Sequence, residues 1–122
     1  MTQARTARQI TYIQAVNEAL RQQMEMDPSV IIMGEDVAGA AGRPDKEDAW
    51  GGPMRLTKGL IGQFGAERIR DTPISEAGFT GLGVGAALTG TRPVVDIMFG
   101  DFVALQKRRL ILLTECGLIW NT

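Results

Sequence analysis

Val30-Ile31-Ile32-Met33 is an unbroken apolar run, rich in β-branched side chains, with Asp27-Pro28 before it and Gly34-Glu35-Asp36 after it. A strand with one wet face alternates apolar and polar residues. A short run without that alternation reads as a strand covered on both faces, which favours a parallel sheet. Upstream, Asp27-Pro28 stops whatever precedes it, because a residue before proline is pushed out of the helical region. What precedes it reads as a helix. Ile13, Val16, Leu20 and Met24 recur at helical spacing, and Thr11-x-x-Gln14 has the form of a capping box at the start. Residues 1–9 are polar and are expected to be a flexible N-terminus.

Downstream, Val37 to Pro53 shows no periodicity and is dominated by glycine, proline and charge, a length of loop that points to function or mobility. Thr57 to Phe64 predicts a short helix ended by Gly65, and Arg68 to Asp71 a short strand. Asp71-Thr72-Pro73-Ile74-Ser75-Glu76 then turns into a helix over about Ala77 to Thr89, crowded with Gly78, Gly81, Gly83, Gly85, Ala86 and Ala87. Pro93 to Met98 predicts a third strand, and Asp101-Phe102 opens another helix. Strand and helix alternating through short links define an α/β fold with a mainly parallel sheet flanked by helices.

Composition bounds the function. The 122 residues, 44% hydrophobic and 22% charged, suffice for one domain with one core. A formal net charge of −1 gives no electrostatic footprint for nucleic acid. No apolar run approaches the roughly 20 residues that span a bilayer, so no membrane partner is expected. Met1 to Gln9 lacks the apolar stretch of a secretory signal, and the single Cys116 excludes an internal disulfide and suits a reducing cytoplasm. The absence of histidine rules out histidine-dependent triads and argues against a zinc site.

Three stretches carry candidate chemistry. Gly34-Glu35-Asp36 puts paired carboxylates past a buried strand, where open α/β sheets bind ligands; on these residues alone, Asp36 capping a turn with Glu35 solvated is the better account. Gly81-x-Gly83-x-Gly85 invites a dinucleotide reading, but its spacing is not G-x-G-x-x-G. Each glycine costs a helix up to about 1 kcal/mol against alanine, so close packing against a neighbouring helix or subunit is the better reason for them. Glu76, between a proline turn and that helix, is either a first-turn acid that complements the helix dipole or, among Ile74, Phe79 and Leu82, a proton carrier.

The run Asp71-Thr72-Pro73-Ile74-Ser75-Glu76-Ala77-Gly78-Phe79-Thr80-Gly81, with Gly85-Ala86-Ala87, Gly90 and Arg92-Pro93 after it, resembles the signature of a particular family. That family is the β subunit of the decarboxylating component of thiamine-diphosphate-dependent 2-oxoacid dehydrogenases, of pyruvate, branched-chain or acetoin type. Gly34-Glu35-Asp36-Val37 and Thr57-Lys58-Gly59-Leu60 with Phe64-Gly65 fall in the same family's order. The resemblance runs from about residue 10 to 105 and rests on several ordered motifs. It implies the N-terminal part of a transketolase-like pyrimidine-binding domain.

It also implies thiamine diphosphate held between the subunits of an α2β2 heterotetramer, with the diphosphate and its Mg on the α subunit and no metal ligand in this chain. Glu76 would be the catalytic carboxylate, hydrogen-bonding N1′ of the aminopyrimidine, with the ring seated by Ile74, Met98 and Phe102. A proton shared at N1′ prepares the 4′ nitrogen to take the thiazolium C2 proton. The implied enzyme is a cytoplasmic oxidoreductase. It acts on a small 2-oxoacid or acetoin and passes the acyl group to lipoamide on a lipoyl acyltransferase core. The 38–53 loop, with Ala49-Trp50-Gly51-Gly52, looks like the acetoin-cleaving version.

After Leu105 the resemblance stops. Residues 106–122 are expected to be a non-family tail on a truncated chain, from a frameshift, a misplaced gene end or a deliberate cut. A β-subunit fragment, inactive alone, is the leading expectation. The alternatives are an inactive truncated module that docks on the α subunit through the glycine-rich helix, and a nucleotide-binding domain using Gly81 to Gly85.

Overall fold

A computed structural model describes residues 8–39 and 51–103. Most of the 1–9 segment, the centre of the 38–53 loop with Ala49-Trp50, and the 106–122 tail lie outside the described residues. The elements run α1 (Tyr12–Met26), β1 (Val30–Gly34), α2 (Leu60–Phe64), β2 (Ile69–Asp71), α3 (Glu76–Leu88) and β3 (Arg92–Asp96), followed by helical residues at 100–103.

The capping box forms as the sequence predicts. Thr11 Oγ1 accepts from the Gln14 backbone N–H at 3.2 Å, and Gln14 Oε1 accepts from the Thr11 N–H at 2.8 Å. Such a cap is worth about 1 kcal/mol. The other end of α1 has no basic residue in its last turn. Arg68, at the entrance to β2, supplies the missing donors. It donates to the Met24, Asp27 and Val30 carbonyls at 2.8–3.0 Å, and its guanidinium stands 5.1 Å from the Phe64 ring centroid. One side chain thus joins α1, β1, β2 and α2.

The sheet has the order β2-β1-β3 and both pairings are parallel, as the unbroken apolar run of β1 predicts. Met24, Val30, Ile32, Val37, Leu60, Ile61 and Ile69 form one buried cluster between β1, β2 and the helices α1 and α2. Each such side chain contributes roughly 1.5–3 kcal/mol on leaving water. The opposite face carries α3. There a Cβ on Gly83 would lie 2.7 Å from Val95 Cγ2 and 3.8 Å from Met33 Sδ, so only glycine lets α3 sit this close to β3.

That contact revises the reading of the glycine-rich segment. The close approach at Gly83 is to this chain's own sheet. The Gly81–Gly85 series lies inside α3 and not in a strand-to-helix turn, which removes the geometry a dinucleotide loop needs. Two boundaries also differ from expectation. The helix predicted from Thr57 begins at Leu60, because Gly59 takes φ 80 and Thr57 Oγ1 instead donates to the Val37 carbonyl at 2.7 Å. The strand predicted to Met98 ends at Asp96, because Met98 turns to φ 65. Along β3, the Arg92 N–H donates inward to Ser29 at 2.9 Å, and Pro93 lies in register with Ile31.

Candidate functional site

Gly34 closes β1 in register with Asp71 of β2 on one side and Asp96 of β3 on the other. The three carboxyl ends therefore form one edge. The chain goes from β1 to β2 and then crosses by α3 to β3 on β1's other flank, so β1's end is a topological switch point, where ligands enter open α/β sheets. Glu35 and Asp36 leave that point, Thr72 to Ser75 link β2 to Glu76, and Ile97 and Met98 follow β3.

Carboxylates dominate the edge. Burial lifts the proton affinity of Glu35 above the ordinary glutamate range, and the charges of Glu76, then Asp36 and Asp96, push it the same way. Glu35 and Glu76 are thus within electrostatic reach of each other. Asp71 is likewise raised, chiefly by burial, although its Oδ1 accepts the Ala38 N–H at 2.6 Å, which pulls the other way. Asp96 Oδ1 accepts the Met98 N–H at 2.9 Å. The segment after the undescribed part of the loop returns to this edge, with the Gly52 N–H donating to the Asp36 carbonyl at 2.9 Å.

The four sequence-predicted site residues fall in two groups. Glu76 is half-buried and is the first residue of α3; Ile74, just before it, is 84% exposed. Met98 and Phe102 are half-buried on the stretch after β3, where Phe102 meets Phe99 edge-on with centroids 5.9 Å apart. Met98 also lines an apolar cleft of about 330 Å³ with Val16, Leu20, Leu56 and Val103; Ile74, Glu76 and Phe102 do not line it. Sequence reading gave Glu35 no firm role and passed over Asp71 and Asp96. Their signal was present: each aspartate ends a strand of the same parallel sheet.

Chemically, the edge offers a half-buried carboxylate at Glu76 and a second carboxyl, Glu35, whose proton affinity is raised above its ordinary value. Among the described residues, no group of three or more His, Cys, Asp or Glu side chains is arranged to hold a metal ion. No described helix is long and apolar enough to cross a membrane.

The family model described as "Transketolase, pyrimidine binding domain" matches residues 8–117. Among curated proteins the chain is similar to the acetoin:2,6-dichlorophenolindophenol oxidoreductase subunit beta of Cupriavidus necator, at 46% identity over 99 residues, and that of Bacillus subtilis, at 48% over 99 residues. These matches cover 81% and 80% of this chain and 29% of each relative. It is also 39% identical, over 99% of its length, to the chloroplastic pyruvate dehydrogenase E1 component subunit beta-2 of Arabidopsis thaliana, of which it covers 27%. The chain thus spans under a third of the length of these relatives. With the family match running nearly end to end, the chain belongs to the transketolase pyrimidine-binding domain family.

Proposed function

We propose that this chain supplies the aminopyrimidine half of a thiamine-diphosphate site, as part of the β subunit of a 2-oxoacid or acetoin dehydrogenase. The observation that carries the reading is Glu76: a half-buried carboxylate at the head of α3, on the ligand-binding edge of the sheet, in electrostatic contact with Glu35. The described residues fit one half of the cofactor. They offer a half-buried carboxylate for a ring nitrogen and apolar side chains for a ring; the proposal assigns the diphosphate and its Mg to an α subunit.

When bound, thiamine diphosphate supplies the carbon nucleophile that such a cleavage needs. In this reading Glu76 holds a proton at the pyrimidine N1′, beside Glu35, whose proton affinity burial and the neighbouring carboxylates raise. Ile74, Met98 and Phe102 seat the ring; the exposed Ile74 gains its cover from the partner subunit or the cofactor itself. The proposal extends to an α2β2 assembly, C–C cleavage of a small 2-oxoacid or acetoin, and acyl transfer to lipoamide on a lipoyl acyltransferase core in the cytoplasm. The sequence motifs place the family part at residues 10–105, and the family match itself continues to residue 117. A second reading, an inactive module docking on the α subunit, draws on the outer face of α3, where Leu82 and Leu88 are 59% and 67% exposed.

The test is co-expression with the α subunit, followed by thiamine diphosphate titration and assays of oxoacid decarboxylation and acetoin cleavage. Saturable cofactor binding that Glu76→Gln disrupts supports the reading. Binding and turnover indifferent to Glu76→Gln would refute it. Capture of the α subunit with no cofactor binding at all favours the docking module.

A further inference from the structure

Resting on that reading, we infer that Asp96 is a positioning residue for the cofactor ring and acts through Met98. Met98 adopts φ 65, a left-handed conformation that non-glycine residues rarely take unaided. Two short bonds hold it there. Asp96 Oδ1 accepts the Met98 N–H at 2.9 Å, and the Phe99 N–H donates to the Ile97 carbonyl at 2.8 Å. The second is made by backbone alone, so the first is the one that residue choice controls.

Asp96 is itself held by its surroundings. A Cβ on Gly34 would come within 2.7 Å of the Asp96 carbonyl oxygen and 2.9 Å of its Cβ, and one on Gly52 within 3.4 Å of Oδ2. Glycine on the neighbouring strand and on the returning loop leaves the room that Asp96 occupies. Its carboxylate thereby fixes the exit of β3 at the switch point and sets the direction in which the Met98 side chain leaves the sheet. The role of Asp96 is to aim Met98 at the ring, not to touch the cofactor.

The experiment is thiamine diphosphate titration of the assembly with the α subunit, using the parent chain, Asp96→Asn, Asp96→Ala, Met98→Gly and the Asp96→Ala/Met98→Gly pair. Asparagine keeps an oxygen acceptor and should bind within about threefold of the parent. Alanine frees the turn and should weaken binding by about tenfold, the scale of one charge-assisted hydrogen bond. In the Met98→Gly background the same alanine change should have no further effect, because glycine takes φ 65 freely and no side chain remains to aim. Equal weakening in both backgrounds, or none in either, overturns the inference while leaving the proposed function standing. Failure of the parent assembly to bind thiamine diphosphate overturns both.

Discussion

Gly34→Ala is the sharpest test of how the edge is packed. The added methyl would lie 2.7 Å from the Asp96 carbonyl oxygen, 2.9 Å from the Asp96 Cβ and 3.1 Å from Val37 Cγ1. Two of those neighbours belong to the adjacent strand itself and cannot rotate away, so β1 and β3 must part at their carboxyl ends. Overpacking of this kind costs about 1–3 kcal/mol, and alanine returns roughly 0.5–1 kcal/mol by restricting the unfolded chain. With backbone as the obstacle the upper part of the range applies, and the net loss should be about 2 kcal/mol. The matched control is Gly62→Ala in α2, where nothing lies within 4 Å of the new Cβ and helix propensity alone predicts a gain of up to about 1 kcal/mol. Urea denaturation with an unchanged slope measures both: the midpoint should fall by about 1–2 M for the first and rise slightly for the second. A Gly34→Ala chain that unfolds at the parent's midpoint would show that the strands are not in the contact described.

Arg68→Met keeps the apolar stem but removes the donors to Met24, Asp27 and Val30, and should cost about 3 kcal/mol in the same assay; a loss under about 1 kcal/mol would mean that water replaces the guanidinium at those carbonyls. Glu76→Gln should change stability by less than about 1 kcal/mol while lowering turnover of the assembled enzyme by on the order of a hundredfold or more, so a stability loss that accounts for the activity loss would remove its catalytic role. Because the folded Glu35 binds its proton more tightly than the unfolded chain does, the stability it contributes is complete below the ordinary glutamate value of about 4.5 and is lost as pH rises through its raised folded value. Glu35→Gln should therefore gain on the parent as pH climbs from about 4 to 7, and a constant or shrinking difference would contradict the burial and charge repulsion described for it.

Local signals carried most of the fold. Asp27-Pro28, the Thr11–Gln14 box and the β-branched run at 30–32 each act within a few residues, and α1, β1 and the parallel sheet follow from them. Where a boundary moved, a backbone angle that hydrophobic periodicity does not report decided it: Gly59 takes φ 80, and Met98 takes φ 65 in a turn closed by Asp96 and the Ile97 carbonyl. The same limit applies to the site. Glu76 was identifiable because its motif is contiguous. The hydrogen bond from the Ala38 N–H to Asp71 and the crowding of Asp96 by Gly34 and Gly52 join residues more than thirty positions apart, and no spacing rule reaches them. The glycine-rich helix shows the converse: its composition announced close packing, and only the structure identified the partner surface at Gly83 as β3.

Pro93 has a consequence for how the sheet breathes. Since the Arg92 N–H points inward to Ser29, alternation along β3 sends the amides of Val94 and Asp96 toward β1 and those at 93 and 95 outward. The proline stands at a position where a hydrogen donor would face away from β1, so it removes nothing from the existing ladder and leaves the outer side one donor short. In hydrogen-exchange terms the strand should behave as two interleaved sets. Val94 and Asp96 should exchange only when β3 leaves β1, while Val95, whose outward amide meets no further strand among the described residues, should exchange faster.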